Sequence, residues 1–166
     1  MTAAILILLF VTVQRLAELA IARRNTRALL ARGAHEVGAG HYPLIVAVHA
    51  GWLIALWWLA PGRPIHWPLI GAFALLQCLR IWVLVTLGER WTTRIIILPG
   101  APLVTKGPFR LLRHPNYAVV IGEIAVLPLA FGLVWVAVVF SVLNAAVLVV
   151  RIRAESRALA SRPDLA

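Results

Sequence analysis

Long apolar segments recur along the chain and alternate with shorter polar connections. A run of about 20 apolar residues has the length of a membrane-spanning helix. The last apolar stretch, from Tyr117 to Val150, is longer than one span, and Gly132 offers a place for a tight turn within it. The predicted spans are residues 3–22, 42–60, 67–87, 117–131 and 134–152. The pattern predicts an all-α integral membrane protein with five transmembrane helices, ending in a helical hairpin, as a single domain over residues 1–166.

Basic residues concentrate at the ends of the apolar segments. The chain has 16 Lys and Arg against 6 Asp and Glu, a formal net charge of +10, although it is 62% hydrophobic. This placement is typical of membrane topology rather than of nucleic-acid binding. Most basic residues lie in residues 23–41, 88–116 and the tail after residue 150, whereas the connection at Arg63 holds one. The charges predict an external amino terminus, with the long connection and the carboxyl terminus in the cytosol.

The densest polar passage of the chain occupies residues 105–117. A Gly-Pro pair near its start predicts a turn, and Pro115 disfavours helical geometry at His114 while suiting the first turn of a following helix. We therefore expect His114 at the beginning of a membrane helix, with Tyr117 about one turn further along. The alternative is a basic loop beside the membrane. The order Gly-Pro-aromatic followed by Arg-His-Pro-Asn-Tyr favours a functional site.

Ionisable residues also occur in or near the predicted spans. Arg15 and Glu18 are three residues apart and share a helix face, either inside the bundle or near the interface. His49 lies within the second span, where a packing role is commoner than ligand binding. Arg151 and Glu155 are four residues apart, a spacing typical of a surface salt bridge. Together with the polar passage, the last pair becomes a candidate site.

Several kinds of chemistry find no support in the sequence. There is no P-loop, no dinucleotide-binding glycine motif and no metal-ligand spacing, and the five His are dispersed, so no metal site is predicted. Cys78 has no partner for a disulfide within the chain, and Asp164 has no second Asp for paired-aspartate chemistry. The apolar strip Ile95–Leu98 is too short to span a membrane and is expected to dip into the interface or to line a pocket.

A family resemblance arises from the polar passage together with its surroundings. Residues 103–117, the apolar hairpin that follows, and Arg151, Glu155 and Leu159 resemble the isoprenylcysteine carboxyl methyltransferase (ICMT) family over about residues 80–160. The amino-terminal half, with residues 14–19 and 41–43, resembles a small bacterial branch associated with O-methylation of phenolic lipids and alkylpyrones. The resemblance implies a location in the bacterial inner (cell) membrane, with the active site and cofactor-binding connection in the cytosol.

The resemblance also implies a chemistry and a set of residues. It implies an O-methyltransferase that uses S-adenosyl-L-methionine (SAM) without a Rossmann fold. The acceptor would be a lipophilic small molecule or a prenylated molecule from the bilayer, methylated on a carboxylate or a phenol/enol oxygen. Catalysis would involve Arg151, facing the acceptor, and Glu155, binding the SAM ammonium. The implied cofactor-binding residues are Arg94, Ala101, Pro102, Leu103, Val104, Phe109, His114, Pro115, Asn116, Tyr117 and Glu155.

Three positions depart from the family pattern, and two other functions stay open. Ala101 stands where eukaryotic relatives carry His, Phe109 replaces a Tyr, and Ser156 replaces the second Glu of a Glu-Glu pair. A sterol-type reductase using NADPH has a similar His-Pro-Asn-Tyr passage, although its Gly-Glu follows sooner than Gly122-Glu123 does here. A non-catalytic membrane subunit is the other alternative. If the acceptor is a phenol, it needs a base, for which the candidates are Glu18, His49 and Glu123.

Overall fold

The computed structural model describes residues 2–112 and 114–160, with side chains up to residue 157; Arg113, Asp164 and the side chain of Leu159 lie outside this part. The five long helices are α1 (Thr2–Ala31), α2 (Tyr42–Leu59), α3 (Trp67–Leu87), α4 (Pro115–Ala130) and α5 (Val134–Ala160). Short 3₁₀ turns cover Ala39–His41, Gly88–Arg90 and Gly107–Arg110.

The predicted all-α integral membrane fold is confirmed. Helices α1, α3 and α5, together with α2 and the turn before it, are long and apolar enough to cross a membrane. Helix α4 has 16 residues, fewer than the roughly 20 that an upright span needs. Its crossing of the whole bilayer therefore stays a prediction.

The helical hairpin between α4 and α5 turns where the sequence predicted. Gly132 has a φ of 67°, a left-handed conformation that a glycine adopts without a steric penalty. Its N–H donates to the carbonyl of Leu129 at 2.9 Å, and the N–H of Leu133 donates to Pro128 at 2.9 Å. Because these bonds satisfy carbonyls at the end of α4, the chain reverses within three residues.

A two-stranded antiparallel ladder holds most of the strip Ile95–Leu98, and Ile95 and Ile96 line a cavity, which confirms the second of the two expectations for this strip. Strand β1 (His35–Val37) pairs with β2 (Ile95–Ile97), with Glu36 opposite Ile96. Three successive β-branched side chains favour extended backbone, and pairing satisfies the N–H and C=O groups that a dip into the interface would leave open. The ladder ties the connection after α1 to the long connection after α3.

Charged side chains are buried between α1, α3 and α4, where they form hydrogen bonds and ion pairs with one another. The Glu123 carboxylate is 1% exposed. It accepts hydrogen bonds from Nε of Arg80 at 2.8 Å, from Nη2 of Arg80, and from Nη2 of Arg15 at 2.5 Å. Gln77 donates to it at 2.7 Å. Two guanidinium groups from different helices therefore share one carboxylate.

Glu18 completes this buried ion cluster, which we define as Arg15, Glu18, Arg80 and Glu123. Glu18 is 7% exposed and accepts from Arg15 at 2.9 Å and from Arg80 at 3.1 Å. Two cations thus face two anions, so the cluster is neutral when every member is ionised. The sequence left open whether Arg15 and Glu18 lie inside the bundle or near the membrane interface, and the structure places both inside the bundle. The cluster joins α1, α3 and α4 and pairs their charges inside the bundle, as is usual for ionisable groups at membrane depth.

We predict that Glu123→Gln destabilises the protein strongly, because Arg15 and Arg80 would then share one remaining carboxylate. Breaking a buried ion pair costs about 3–5 kcal/mol. For a chain of this size that corresponds to a fall in Tm of roughly 10 °C, measured by thermal unfolding in detergent. The matched control is Glu89→Gln, whose carboxylate forms an exposed pair with Arg32 at 3.5 Å and should cost less than about 1 kcal/mol. Equal Tm values for the two variants would contradict the role of the cluster.

Candidate functional site

The polar passage ends at the beginning of α4, as its prolines predicted. His114 has non-helical backbone angles (φ −133°, ψ 67°), and α4 begins at Pro115. The carbonyl of His114 accepts the first helical bonds, from the N–H of Tyr117 at 3.1 Å and of Ala118 at 3.2 Å. The rings of His114 and Tyr117 stack with centroids 5.2 Å apart. The two side chains therefore face the same side of this helix end.

The far end of α5 packs against the same place. The hydroxyl of Tyr117 donates to Oε2 of Glu155 and accepts from Nε of Arg151 at 3.0 Å. Nη1 of Arg151 donates to the carbonyl of Thr93 at 2.7 Å. Residues more than 30 positions apart in sequence thus meet at one hydroxyl, and the guanidinium plane of Arg151 is fixed from two sides.

A cavity of about 200 Å³ opens beside this junction, and we call it the polar cavity. Both signs of charge line it, because Arg90 and Arg94 lie there together with Glu155. Of the eleven predicted cofactor-binding residues, seven line it: Arg94, Phe109, His114, Pro115, Asn116, Tyr117 and Glu155. The structure therefore brings together most of the residues that the sequence proposed for the cofactor, together with Arg151.

A second cavity, of about 320 Å³ and almost wholly apolar, lies deeper between α1, α2 and α4, and we call it the apolar cavity. Leu16 and Val46 line it and are 61% and 43% exposed, so it opens to the bundle surface between α1 and α2. That surface faces lipid in a membrane. The residues that line both cavities are Trp91, Thr92, Asn116, Tyr117 and Arg151.

Comparison with known proteins decides the family. Residues 69–161 match the model of the isoprenylcysteine carboxyl methyltransferase (ICMT) family. The chain belongs to the ICMT family. Membership of this family indicates a membrane methyltransferase, as the resemblance predicted. The match gives no support to the two alternatives, a sterol-type reductase and a non-catalytic membrane subunit.

Two bacterial proteins are similar to this ICMT-family chain over most of its length. The uncharacterized protein YpbQ of Bacillus subtilis is 43% identical over 159 residues, which are 93% of this chain and 95% of that protein. An uncharacterized protein of Haemophilus influenzae is 30% identical over 155 residues, which are 87% of this chain and 88% of that protein. No solved structure matches the chain.

Four predicted ICMT-type cofactor contacts do not line the polar cavity. Ala101, Pro102, Leu103 and Val104 lie in the irregular stretch after β2, and Leu103 is 52% exposed. The carbonyl of Pro102 accepts a hydrogen bond from Nη1 of Arg90 at 2.5 Å. Since Arg90 lines the cavity, this stretch reaches the site through that side chain. Direct contact between these four residues and a cofactor stays a prediction.

Arg94 is held over the cavity by partners that the sequence did not indicate. It donates to both carboxylate oxygens of Glu36 at 2.8 and 3.1 Å, and its guanidinium lies 4.5 Å from the ring centroid of Tyr42. The hydrogen bond to Glu36 raises the pKa of Arg94 above its usual value. The Tyr42 hydroxyl is 3.2 Å from Oγ1 of Thr93. Sequence reasoning missed Glu36 because the β1–β2 ladder brings it there, and it missed Tyr42 because that residue comes from the beginning of a separate helix, α2.

Two polar atoms at the wall between the cavities are buried and unpaired within the described residues. They are Nε1 of Trp91 and Oδ1 of Asn116, one donor and one acceptor. A buried polar atom without a partner costs about 1–3 kcal/mol, so such atoms mark places where a ligand can supply the missing bond. A ligand with both donors and acceptors therefore fits this wall.

We predict that Tyr117→Phe costs little stability, less than about 1.5 kcal/mol. The phenyl ring keeps the stack with His114, and water in the polar cavity can hydrate Glu155 and Arg151 once the hydroxyl is gone. Thermal unfolding should show a Tm within about 5 °C of the parent protein. A fall as large as that expected for Glu123→Gln would mean that the hydroxyl holds the bundle together rather than serving the site.

Proposed function

We propose that the protein is a SAM-dependent O-methyltransferase that methylates a carboxylate or a phenol/enol oxygen of a lipophilic acceptor at the membrane. One observation carries this proposal: the polar cavity and the lipid-facing apolar cavity share a wall made by Tyr117, Arg151 and Asn116. A polar donor on one side of that wall and an oily acceptor on the other would meet at the junction of α4 and α5.

The chemistry of the polar cavity suits SAM, which carries an ammonium, a carboxylate and a sulfonium. Glu155 would bind the ammonium, and Arg90, Arg94 or His114 would bind the carboxylate through charge-assisted hydrogen bonds. The unpaired atoms of Trp91 and Asn116 offer further bonds to the cofactor's polar groups. When bound, SAM supplies a methyl group for direct displacement by an oxygen nucleophile.

Arg151 would position the acceptor oxygen. Its Nε is held by the Tyr117 hydroxyl and its Nη1 by the Thr93 carbonyl, and Nη2 makes no hydrogen bond to the described part of the chain. Because the other two nitrogens fix the guanidinium plane, Nη2 can hold an ionised oxygen at one place on the shared wall. Fixing the reacting groups in this way is a large source of rate acceleration.

Two of the three candidate bases, Glu18 and Glu123, already accept hydrogen bonds within the buried ion cluster. Glu18 and Glu123 each accept bonds from both Arg15 and Arg80, so protonating either would leave buried guanidinium groups unpaired. The positive charge of Arg151 instead favours the ionised acceptor, whose proton can leave to water in the polar cavity. Proton loss would then require no dedicated carboxylate.

The acceptor would come sideways from the bilayer. The apolar cavity has a volume within the roughly 300–1,000 Å³ range typical of small-molecule sites, and its opening faces lipid. The similar proteins are bacterial, and prenylated proteins are generally absent from bacteria, so we favour a small lipid acceptor over a prenylated protein.

The proposal is tested with purified protein in detergent, methyl-labelled SAM, and a panel of lipid carboxylates, phenols, cyclic enols and prenylcysteines. We expect labelled product in the organic phase and thermal protection by demethylated SAM but not by NADPH. Glu155→Gln should raise the KM for SAM about tenfold or more, and Arg151→Gln should lower kcat roughly a hundredfold. The control is Arg153→Gln, an exposed residue on the same helix.

Failure of SAM and of its demethylated form to bind would refute the cofactor proposal. Binding without transfer to any acceptor class would refute the proposed acceptors. Equal effects of Arg151→Gln and Arg153→Gln on kcat would refute the role given to Arg151.

We also propose that the polar cavity and the carboxyl terminus face the cytosol and that the amino terminus is outside. The test uses a Cys78→Ala background carrying either Arg63→Cys or Arg153→Cys, both at exposed positions. A membrane-impermeant maleimide applied to cells with a permeabilised outer barrier should label only the Arg63→Cys variant. Labelling of the Arg153→Cys variant alone would reverse the orientation.

A further inference from the structure

One edge of the Arg94 guanidinium is occupied and the other is available. Nη1 of Arg94 donates to both carboxylate oxygens of Glu36, at 2.8 and 3.1 Å. Because both bonds come from the same nitrogen, the edge formed by Nε and Nη2 has no carboxylate partner in the described part of the chain. Two parallel N–H donors on such an edge match the two oxygens of a carboxylate. Arg94 can therefore bind a second carboxylate without releasing Glu36.

Glu36 supports Arg94 from outside the polar cavity. Arg94 lines that cavity, whereas Glu36 is not among the residues that line it. The register of the ladder explains how the two meet. Glu36 is opposite Ile96, and Arg94 precedes Ile96 by two residues, so these side chains share one face of the ladder. The side chain of Glu36 is 21% exposed and that of Arg94 is 41% exposed. The supporting carboxylate is thus the less accessible member of the pair.

A second support for Arg94 comes from the beginning of α2. The guanidinium lies 4.5 Å from the centroid of the Tyr42 ring, a distance typical of a cation–π contact. The Tyr42 hydroxyl is 3.2 Å from Oγ1 of Thr93, which fixes the ring in turn. The ring covers one face of the guanidinium and Glu36 holds one edge. Together they fix the plane in which the other edge can bind a ligand.

We propose that Glu36 and Tyr42 are positioning residues of the cofactor site, which hold Arg94 so that its Nε and Nη2 receive the carboxylate of the bound cofactor. The inference rests on the proposed function, because it takes SAM as the ligand of the polar cavity. It assigns to one arginine a carboxylate that the charges of the cavity alone do not assign. Neither positioning residue lies within residues 69–161, the part of the chain that matches the ICMT family.

Arg94 is better supported than Arg90, which also lines the polar cavity. A free arginine side chain loses rotamer entropy when a ligand fixes it, and that loss weakens binding. Glu36 and Tyr42 already restrict the side chain of Arg94. For the side chain of Arg90 the structure describes one hydrogen bond, to the carbonyl of Pro102. A cofactor carboxylate should therefore bind more tightly to Arg94 than to Arg90.

The test compares the binding of two probes to the purified protein in detergent, by titration calorimetry. The probes are demethylated SAM and the same molecule without its carboxylate. Both keep the ammonium, so the ratio of their dissociation constants isolates the carboxylate contact. We expect the parent protein to prefer the carboxylate probe about tenfold, and Arg94→Gln to remove the preference. Arg90→Gln should keep it, and removal of the preference by Arg90→Gln alone would overturn the inference.

Two substitutions at Glu36 separate positioning from charge. Glu36→Gln removes the negative charge but keeps an oxygen that can accept from Nη1 of Arg94, so the preference should be retained or increased. Glu36→Ala removes the support as well, and the preference should fall roughly fivefold. Loss of the negative charge alone would raise it. The matched control is Glu89→Ala, which removes a carboxylate from an exposed pair with Arg32 at 3.5 Å and should leave the preference unchanged.

Tyr42 is tested in the same way. Tyr42→Leu should lower the preference, because the cation–π contact is lost, whereas Tyr42→Phe keeps the ring and should retain most of it. An equal preference in these two variants would remove Tyr42 from the inference.

The remaining outcomes distinguish this inference from the proposed function. Equal weakening of both probes by Glu36→Ala would mean that Glu36 only stabilises the ladder, and an unchanged or increased preference would mean that it does not position Arg94. Either result would overturn the inference. Equal binding of both probes by the parent protein would also overturn it and leave the proposed cofactor standing. Binding of neither probe would refute the proposed function, and the inference would fall with it.

Discussion

Pairing of charge inside the bundle is the constraint on which the rest of the structure depends. A guanidinium or a carboxylate is costly in a lipid environment unless it faces an opposite charge. Glu123 meets this requirement by accepting from Arg15 and Arg80, which belong to two different helices. Helices α1, α3 and α4 are thereby held in one arrangement. The same arrangement forms the walls of the apolar cavity, because Arg15, Glu18 and Arg80 all line it.

A second set of polar contacts closes the bundle at the other end of that cavity. The hydroxyl of Tyr117 joins Glu155 to Arg151, and Arg151 reaches the backbone at Thr93. These contacts attach the end of α5 to the beginning of α4. They also leave a wall only one layer of side chains thick between a charged cavity and an apolar one. A wall of this kind suits a reaction between one polar and one apolar partner.

Much of the fold and part of the candidate site could be predicted from sequence, for reasons that are local. Hydropathy marked the helices, Gly132 marked the hairpin turn, and Pro115 marked the beginning of α4 beside His114. The strand at Ile95–Ile97 was missed because its partner strand lies some 60 residues away in the sequence. In addition, three successive isoleucines do not show the alternation of polar and apolar residues that is typical of a strand. The parts played by Tyr42 and Glu36 were missed because their partner Arg94 is also distant in the sequence.

The sequence by itself determined which segments form apolar helices, which ends of them are basic, and which residues are candidates for the site. These properties depend on a few neighbouring residues, since hydropathy, turn geometry and helical spacing are local. Only the tertiary structure decided that Glu123 pairs with both Arg15 and Arg80, and that His49 and Arg15 share a cavity with Arg151. Partners in a helix bundle are chosen by how the helices pack, and the spacing of residues along the chain does not contain that choice.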